Sequence, residues 1–309
     1  MKKTVRIVAA ILLLAGLLAT AACGPQSPEP AASGITADRA GNPITLPAEI
    51  ERIISIGPSN TEILAALGFA GSLVAVDTYS DNIPEIDPAL AAFDMMSPDI
   101  EALLSMSPDV IFVPEISMVG GDNPYTAITD AGVCVIYLPS STSIEEIYED
   151  IRFIAAVMDA GAKGDEIVAD MEREIEKVRA VGDTIAEKKK VYFEISAAPY
   201  MYSFGRGTFL NELIELMGAV NILGGLDSWT VVSDEEVLNA DPDVILTNVN
   251  YLEDSVGEIK SRPGWGGVAA VRNDEVYYID ADASGRPSHN VVTALLEMAR
   301  AVYPDKYEN

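Results

Sequence analysis

The sequence predicts an α/β protein of two doubly wound lobes joined by one long backbone helix, with a ligand cleft between the lobes. Three observations carry this. Short apolar, strand-like runs alternate with helix-like runs in both halves of the chain. Between the halves, Ile167, Val168, Met171, Ile175, Val178, Val181 and Ile185 recur every three or four positions among charged residues, the period of an amphipathic helix. That run, from Ala162 to Lys190, would be roughly 35–40 Å long. A third feature occurs once on each side of it. Glu101 stands seven residues before Pro108-Asp109-Val110-Ile111, and Glu235 stands seven before Pro242-Asp243-Val244-Ile245.

Five segments follow. Residues 1–23 read as a lipoprotein signal: Lys2, Lys3 and Arg6, then an apolar core from Ile7 to Leu18, then Thr20-Ala21-Ala22-Cys23. The last four resemble the lipobox of bacterial lipoproteins, in which the cysteine, here Cys23, carries the lipid. An ordinary secretory signal and an uncleaved anchor are the alternatives, although the apolar run is short for a membrane span. Residues 24–36, rich in Pro, Ser, Gly and Ala, have the composition of a flexible tether. Residues 37–160 form an N-terminal α/β lobe, 161–190 the inter-lobe helix, and 191–309 a C-terminal α/β lobe.

Within the first lobe, Asp38 to Pro47 reads as a hairpin turning at Ala40-Gly41-Asn42. Arg52 to Ile56 is a buried strand. Ser59 and Glu62 have the spacing of a capping box, so a helix should open at Ser59 and stop at Gly68. Leu73 to Val76 is a strand ending in the polar stretch Asp77 to Pro84, where open α/β sheets place ligands. Pro98–Ser105, Asn123–Ala131 and Ile144–Met158 are helices, with strands at Val110–Val113 and Val133–Leu138. In the second lobe, Val191–Ile195, Val244–Leu246 and Val276–Ile279 are strands. Thr208–Met217, Glu235–Ala240 and His289–Tyr303 are helices. Tyr202–Gly207 reads as a loop, and Trp265 as core.

Composition excludes several functions. The formal charge of −28 becomes −31 without Lys2, Lys3 and Arg6, leaving 17 basic against 48 acidic residues, which argues against nucleic acid as a partner. A mature chain keeps only Cys134, so no disulfide framework is possible, and Cys134 reads as a small buried core residue. One histidine, His289, is too few for a structural zinc site, and no serine has a nucleophile-elbow setting. No Walker loop or G-x-G-x-x-G follows a strand. The residues favour binding over catalysis and call for no cofactor. Tyr79, Asp81, Tyr200, Tyr202, Arg206, Trp229, Asp282 and Arg286 lie in loops after strands, where aromatic walls with sparse charges suit a large, partly flat ligand.

Several motifs together resemble one family. Ser55-Ile-Gly-Pro-Ser-Asn60-Thr-Glu62, Thr78-Tyr-Ser-Asp81, the two Glu…Pro-Asp-Val units and Trp265-x-x-Val268-x-Ala270-Val-Arg-Asn-Asp-Glu-Val-Tyr277 resemble the helical-backbone class of solute-binding proteins, over about Ala48 to Tyr303. Members serve ABC importers of iron chelates, haem and vitamin B12. Within the class the likeness is greatest to the vitamin B12-binding branch. It implies that Tyr79, Tyr202, Trp229, Asp282 and Arg286 face the ligand, and Asp81 and Arg206 stand beside them as candidates from the loop reading. Met95 stands where that branch has a first-lobe tryptophan, a departure that leaves haem, a siderophore or another corrinoid open. The resemblance also implies that Glu101 and Glu235 dock onto arginines of a permease, one from each lobe. The expected protein is a lipid-anchored monomer, partnered by a permease and its ATPase, carrying a metal chelate without covalent chemistry.

Overall fold

A computed structural model describes residues 34–118 and 123–307. The signal and lipidation reading at Cys23 and most of the tether lie outside the described residues. In the first lobe, β1 (Ile53–Ser55), β2 (Leu73–Asp77), β3 (Ala91–Phe93), β4 (Val110–Pro114) and β5 (Cys134–Leu138) form one parallel sheet in the order β3-β2-β1-β4-β5. It is flanked by α1 (Pro58–Ala66), α2 (Ile100–Ser105), α3 (Thr126–Asp130) and α4 (Ile144–Val157).

After the long helix α5 (Gly161–Gly182), the second lobe begins with β6 (Lys190–Glu194), β7 (Tyr202–Phe204), α6 (Phe209–Leu216), β8 (Val220–Asn221) and β9 (Trp229–Val231). It continues through α7 (Asp234–Ala240), β10 (Val244–Thr247), α8 (Ser255–Ser261), α9 (Ala269–Arg272), β11 (Val276–Tyr278), α10 (Ala281–Gly285) and α11 (Val291–Val302). Here the parallel sheet has the order β11-β10-β6-β8, while β7 and β9 form a separate antiparallel ribbon.

Strand alternation explains the layering. Ile53, Val110, Phe112 and Ile136 face one core, and Ile54, Ile111, Val113 and Val135 face another on the opposite side of the sheet. In the second lobe Val191, Phe193, Val244 and Leu246 face inward, and Tyr192 and Ile245 face outward. Both faces are covered, as parallel sheets require. The inward cores of the two lobes are one continuous cluster, bridged by Val168, Met171, Ile175 and Val178 of α5. Trp265 is fully buried, with its indole N–H on Asp234 (2.7 Å).

The long helix ends at Gly182, eight residues before the expected Lys190, which instead opens β6. The cause is a close approach of backbones. A Cβ at Gly182 would lie 2.2 Å from the Leu216 carbonyl oxygen, so α5 butts against the chain leaving α6. Ile185 then closes a turn onto the Gly182 carbonyl (3.0 Å). A helix of 22 residues spans about 33 Å. Cys134 differs from its expected full burial: it opens β5 half-buried, and desolvation pushes its thiol up to about 11.

The sequence repeat turns out to be a structural device. Asp109 accepts the Arg52 N–H (2.8 Å) and returns its own N–H to the Arg52 carbonyl (2.9 Å). Asp243 does the same with Lys190, at 2.7 and 2.8 Å. Each pair clips the start of one central strand to the start of its neighbour. Arg52 and Lys190 also donate to carbonyls at the end of the preceding helix, Met106 and Ala240. The residues before the two prolines, Ser107 and Asp241, share the left-handed backbone, φ 48 and 45.

Candidate functional site

Both parallel sheets direct their carboxyl ends to the same junction. The chain order of the first sheet reverses between β1 and β4, and that of the second between β6 and β10. Crevices at such switch points are the natural ligand sites of open α/β sheets. A cavity of about 420 Å³ lies there. Its first-lobe wall is Gly57 to Asn60 after β1, Met95 after β3, Ile116 after β4 and Pro139 to Thr142 after β5. The second-lobe wall is mostly apolar: Ile195, Phe209, Leu210, Trp229 and Pro287, with Asn248 and Ser284 beside them.

Of the predicted ligand residues, Met95 and Trp229 line this cavity. Trp229 stands on the β7–β9 ribbon, 39% exposed, with its ring edge-on to Phe204. Tyr202 starts β7, a strand where a loop was expected, and is exposed next to Trp229's ladder. Gly205 permits the ribbon's tight closure, since a Cβ there would meet the Leu226 carbonyl oxygen at 2.2 Å. Arg206 is bound by Asp227 (2.5 Å) on the surface. Tyr79 and Asp81 are exposed in the loop after β2.

Arg286 and Asp282 are placed differently from the expectation that they face the ligand. Neither lines the cavity. Arg286 is buried and reaches across the lobe junction to Glu62 (2.9 Å), the Tyr79 carbonyl (2.8 Å) and Asn82 (2.9 Å), and it pairs with Asp282 (2.7 Å). Glu62 also accepts from Ser288 and from Asn290 (3.0 Å). The capping-box expectation fails for the same reason. α1 starts at Pro58, its N-cap is Gly57 with no side-chain cap, and Glu62 turns away to the other lobe. A second cavity of about 350 Å³, lined by Glu62, Glu85, Arg286 and His289 among others, lies beside this clamp. Burial there pushes the His289 imidazole below its usual range, against the pull of Glu62 and Glu85. Among the described residues no cluster of His, Cys, Asp and Glu could hold a metal ion.

The cavity's own ionisable group is Asp150. Burial raises its carboxyl above the ordinary range, while Ser141 and Arg39 (2.8 Å) hold it from behind. Sequence reasoning missed Asn60, Phe209, Leu210 and the Asp77 support. Asp77 is fully buried at the end of β2 and accepts the N–H of Gly57 (3.0 Å) and Tyr79 (2.8 Å), fixing both loops at the cleft edge. The signal was its place at a strand's carboxyl end. Glu101 and Glu235 are exposed in the first turns of α2 and α7. Each helix runs toward the amino end of the next parallel strand, so both first turns lie at the carboxyl edge of their sheets, one on each lobe. Asp99 caps α2, while Ser233 and Glu236 form the capping box of α7, so neither glutamate is needed for capping.

The sequence profile of periplasmic binding proteins matches residues 53–283. This chain belongs to that family. An uncharacterized ABC transporter substrate-binding lipoprotein of Bacillus subtilis, YvrC, is 30% identical over the whole of both chains. A cobalamin-binding protein of Halobacterium salinarum is 24% identical, covering 95% of this chain and 83% of that one. Among solved structures, the periplasmic heme-binding protein RhuT from Roseiflexus sp. RS-1, in apo form, superposes with a TM-score of 0.73 at 26% identity, over 84% of this chain and 100% of that one. Such periplasmic binding proteins share the two-lobe plan described above.

Proposed function

We propose that this chain is the substrate-binding lipoprotein of an ABC importer, lipid-anchored outside the cytoplasm through Cys23. It captures a metal chelate, cobalamin or a related corrinoid, between its lobes and delivers it to the permease and ATPase without covalent chemistry. The observation that carries this is the cleft: an apolar second-lobe wall with a half-exposed tryptophan, facing a wall of small polar residues at the ends of β1 and β5. A flat macrocycle with a polar edge matches such walls. Met95 and Trp229 would contact the ligand face, and Tyr79, Asp81, Tyr202 and Arg206 its margin as the ligand protrudes. The cobalamin-binding relative agrees with this reading. Haem or a ferric siderophore is the second reading, favoured by Met95 in place of an aromatic and by the haem-binding neighbour.

Titration with cyanocobalamin, haemin and ferric siderophores, followed by tryptophan fluorescence and melting temperature, tests the ligand. Cyanocobalamin should quench fluorescence saturably and raise the melting temperature by mass action. If it does neither while a siderophore does both, the corrinoid reading is wrong.

Docking is the second expectation. Two carboxylates, one on each lobe and both at the cleft face, can orient the protein on a basic permease surface and report lobe separation. Glu101→Ala combined with Glu235→Ala should lower permease affinity at least tenfold, at roughly 1.4 kcal/mol for each tenfold step, and leave ligand affinity unchanged. Loss of ligand binding instead would place these residues in the pocket or the fold.

A further inference from the structure

The first-lobe wall of the cleft contains hydrogen-bond donors with nothing to bond. A helix leaves its first N–H groups without intrahelical partners, and a cap, water or a ligand must answer them. In α1, Pro58 has no N–H, and Thr61 donates to the Gly57 carbonyl (3.2 Å). Among the described residues nothing accepts the N–H of Ser59 or Asn60, and no side chain caps this helix. Asn60 adds an independent observation. It is only 6% exposed, it lines the cavity, and its side-chain Nδ2 has no partner. Leaving a buried amide unpaired is costly, which marks it as a group awaiting an acceptor.

Charge decides which acceptor. The positive end of a helix ordinarily favours an anion. Here the buried Asp77 carboxylate already sits on the Gly57 N–H and offsets that end. Among the described residues no Lys, Arg or His lines the cavity. The nearby arginines are taken: Arg39 by Asp150 and Glu149, Arg206 by Asp227, Arg286 by Glu62 and Asp282. Asp150 closes the same wall, and the whole chain is strongly acidic. What remains is donor capacity without net positive charge.

We infer that the first-lobe wall selects the uncharged, carbonyl- or carboxamide-bearing edge of the ligand, held by the N–H groups of Ser59 and Asn60 and by the Asn60 side-chain amide. This rests on the reading of the cleft as a chelate site, and it narrows that site to neutral chelates over polyanionic ones. An amide edge answers both halves of the Asn60 amide, since its carbonyl accepts and its NH₂ donates. A carboxylate edge would bring charge to a wall with no cation to meet it.

Two matched ligand pairs test this on the full chain. Dicyanocobinamide carries carboxamides round the same corrin ring on which dicyanocobyrinic acid carries carboxylates. Ferrichrome is a neutral ferric chelate, and ferric enterobactin a polyanionic one. The neutral member of whichever pair binds should bind at least about tenfold more tightly. Asn60→Asp should weaken that binding by a similar factor. Amide resonances of Ser59 and Asn60 in the wild-type protein should shift on saturation, a readout independent of whether the variant folds. Corrinoids failing while ferrichrome beats enterobactin would remove the corrinoid reading and leave this inference standing. Equal or tighter binding of an anionic member, or saturation without movement of Ser59 and Asn60, overturns the inference and leaves the chelate reading in place. Silence from both pairs overturns both.

Discussion

Replacing Arg262 by methionine should destabilise the protein by about 3–5 kcal/mol, the usual cost of orphaning one member of a buried ion pair. Glu194 closes β6 with its side chain 1% exposed, and Arg262 is 5% exposed. Two parallel bonds of 2.7 Å join them, a bidentate geometry that lysine could not reproduce. Arg262 also bonds Glu258 (3.0 Å) and stacks over Trp265, with its guanidinium carbon 4.6 Å from the ring centre. Burial raises the Glu194 carboxyl above its ordinary range, and Arg262 pulls it back down.

In Arg262→Met that pull is gone, so the folded-state value rises further above the unfolded one. A carboxyl with a raised folded value stabilises the protonated fold. Stability of the variant should therefore be greatest at low pH and fall as pH rises through the folded value. Urea unfolding of both proteins at about pH 5 and about pH 8 reads this, with the larger deficit expected at the higher pH. The double variant Arg262→Met with Glu194→Leu should recover much of the loss, because no charge is then left buried. A single variant within about 1 kcal/mol of wild type at both pH values would refute the assignment.

The division into two α/β lobes was legible because it rests on period. Buried parallel strands such as Val110–Pro114 and Val244–Thr247 are continuous apolar runs, and the residues of α5 repeat with the helical spacing. Short edge and ribbon strands were not legible. Ala91–Phe93, Val220–Asn221 and Trp229–Val231 are two or three residues long and partly exposed, too brief to show a period. The end of α5 depends on a backbone contact with Leu216, thirty-four residues on, which local pattern cannot show. The site divides in the same way. Met95, just after β3, and Trp229, at the start of β9, both line the cavity. Arg286 closes α10, and its partner lies 224 residues away on the other lobe, beyond the reach of local pattern. The repeated glutamates looked like the purpose of the repeat, whereas the repeat is also held by Asp109 and Asp243, which join neighbouring strands.

Arg286→Ala should be the second large loss, again about 3–5 kcal/mol, and its consequence should be mechanical. The pair with Glu62 is nearly dry, at 10% and 5% exposure, so salt should screen it far less than the surface pair of Arg206 and Asp227. Removing the guanidinium strands Glu62 with only Ser288 and Asn290, frees the Tyr79 carbonyl, and leaves Asn82 with its amide bond to Asp282 alone. Among the described residues two further polar ties cross the junction: the Asn82 side-chain amide donates to Asp282 (2.5 Å), and the Ile144 N–H, at the start of α4, donates to Glu212 (2.9 Å). A single joining helix would already limit lobe motion to its ends. The clamp adds a constraint on the far side of α1, so wild-type lobes should stay nearly fixed on ligand binding. Arg286→Ala should then show a lower melting temperature and a larger radius of gyration by small-angle scattering. Ligand affinity should fall only as far as the first-lobe wall loses its setting opposite Trp229. Should the variant melt and scatter like wild type but lose ligand affinity, the guanidinium would belong to the ligand, as the family resemblance implies, and the clamp would be its resting place between ligands.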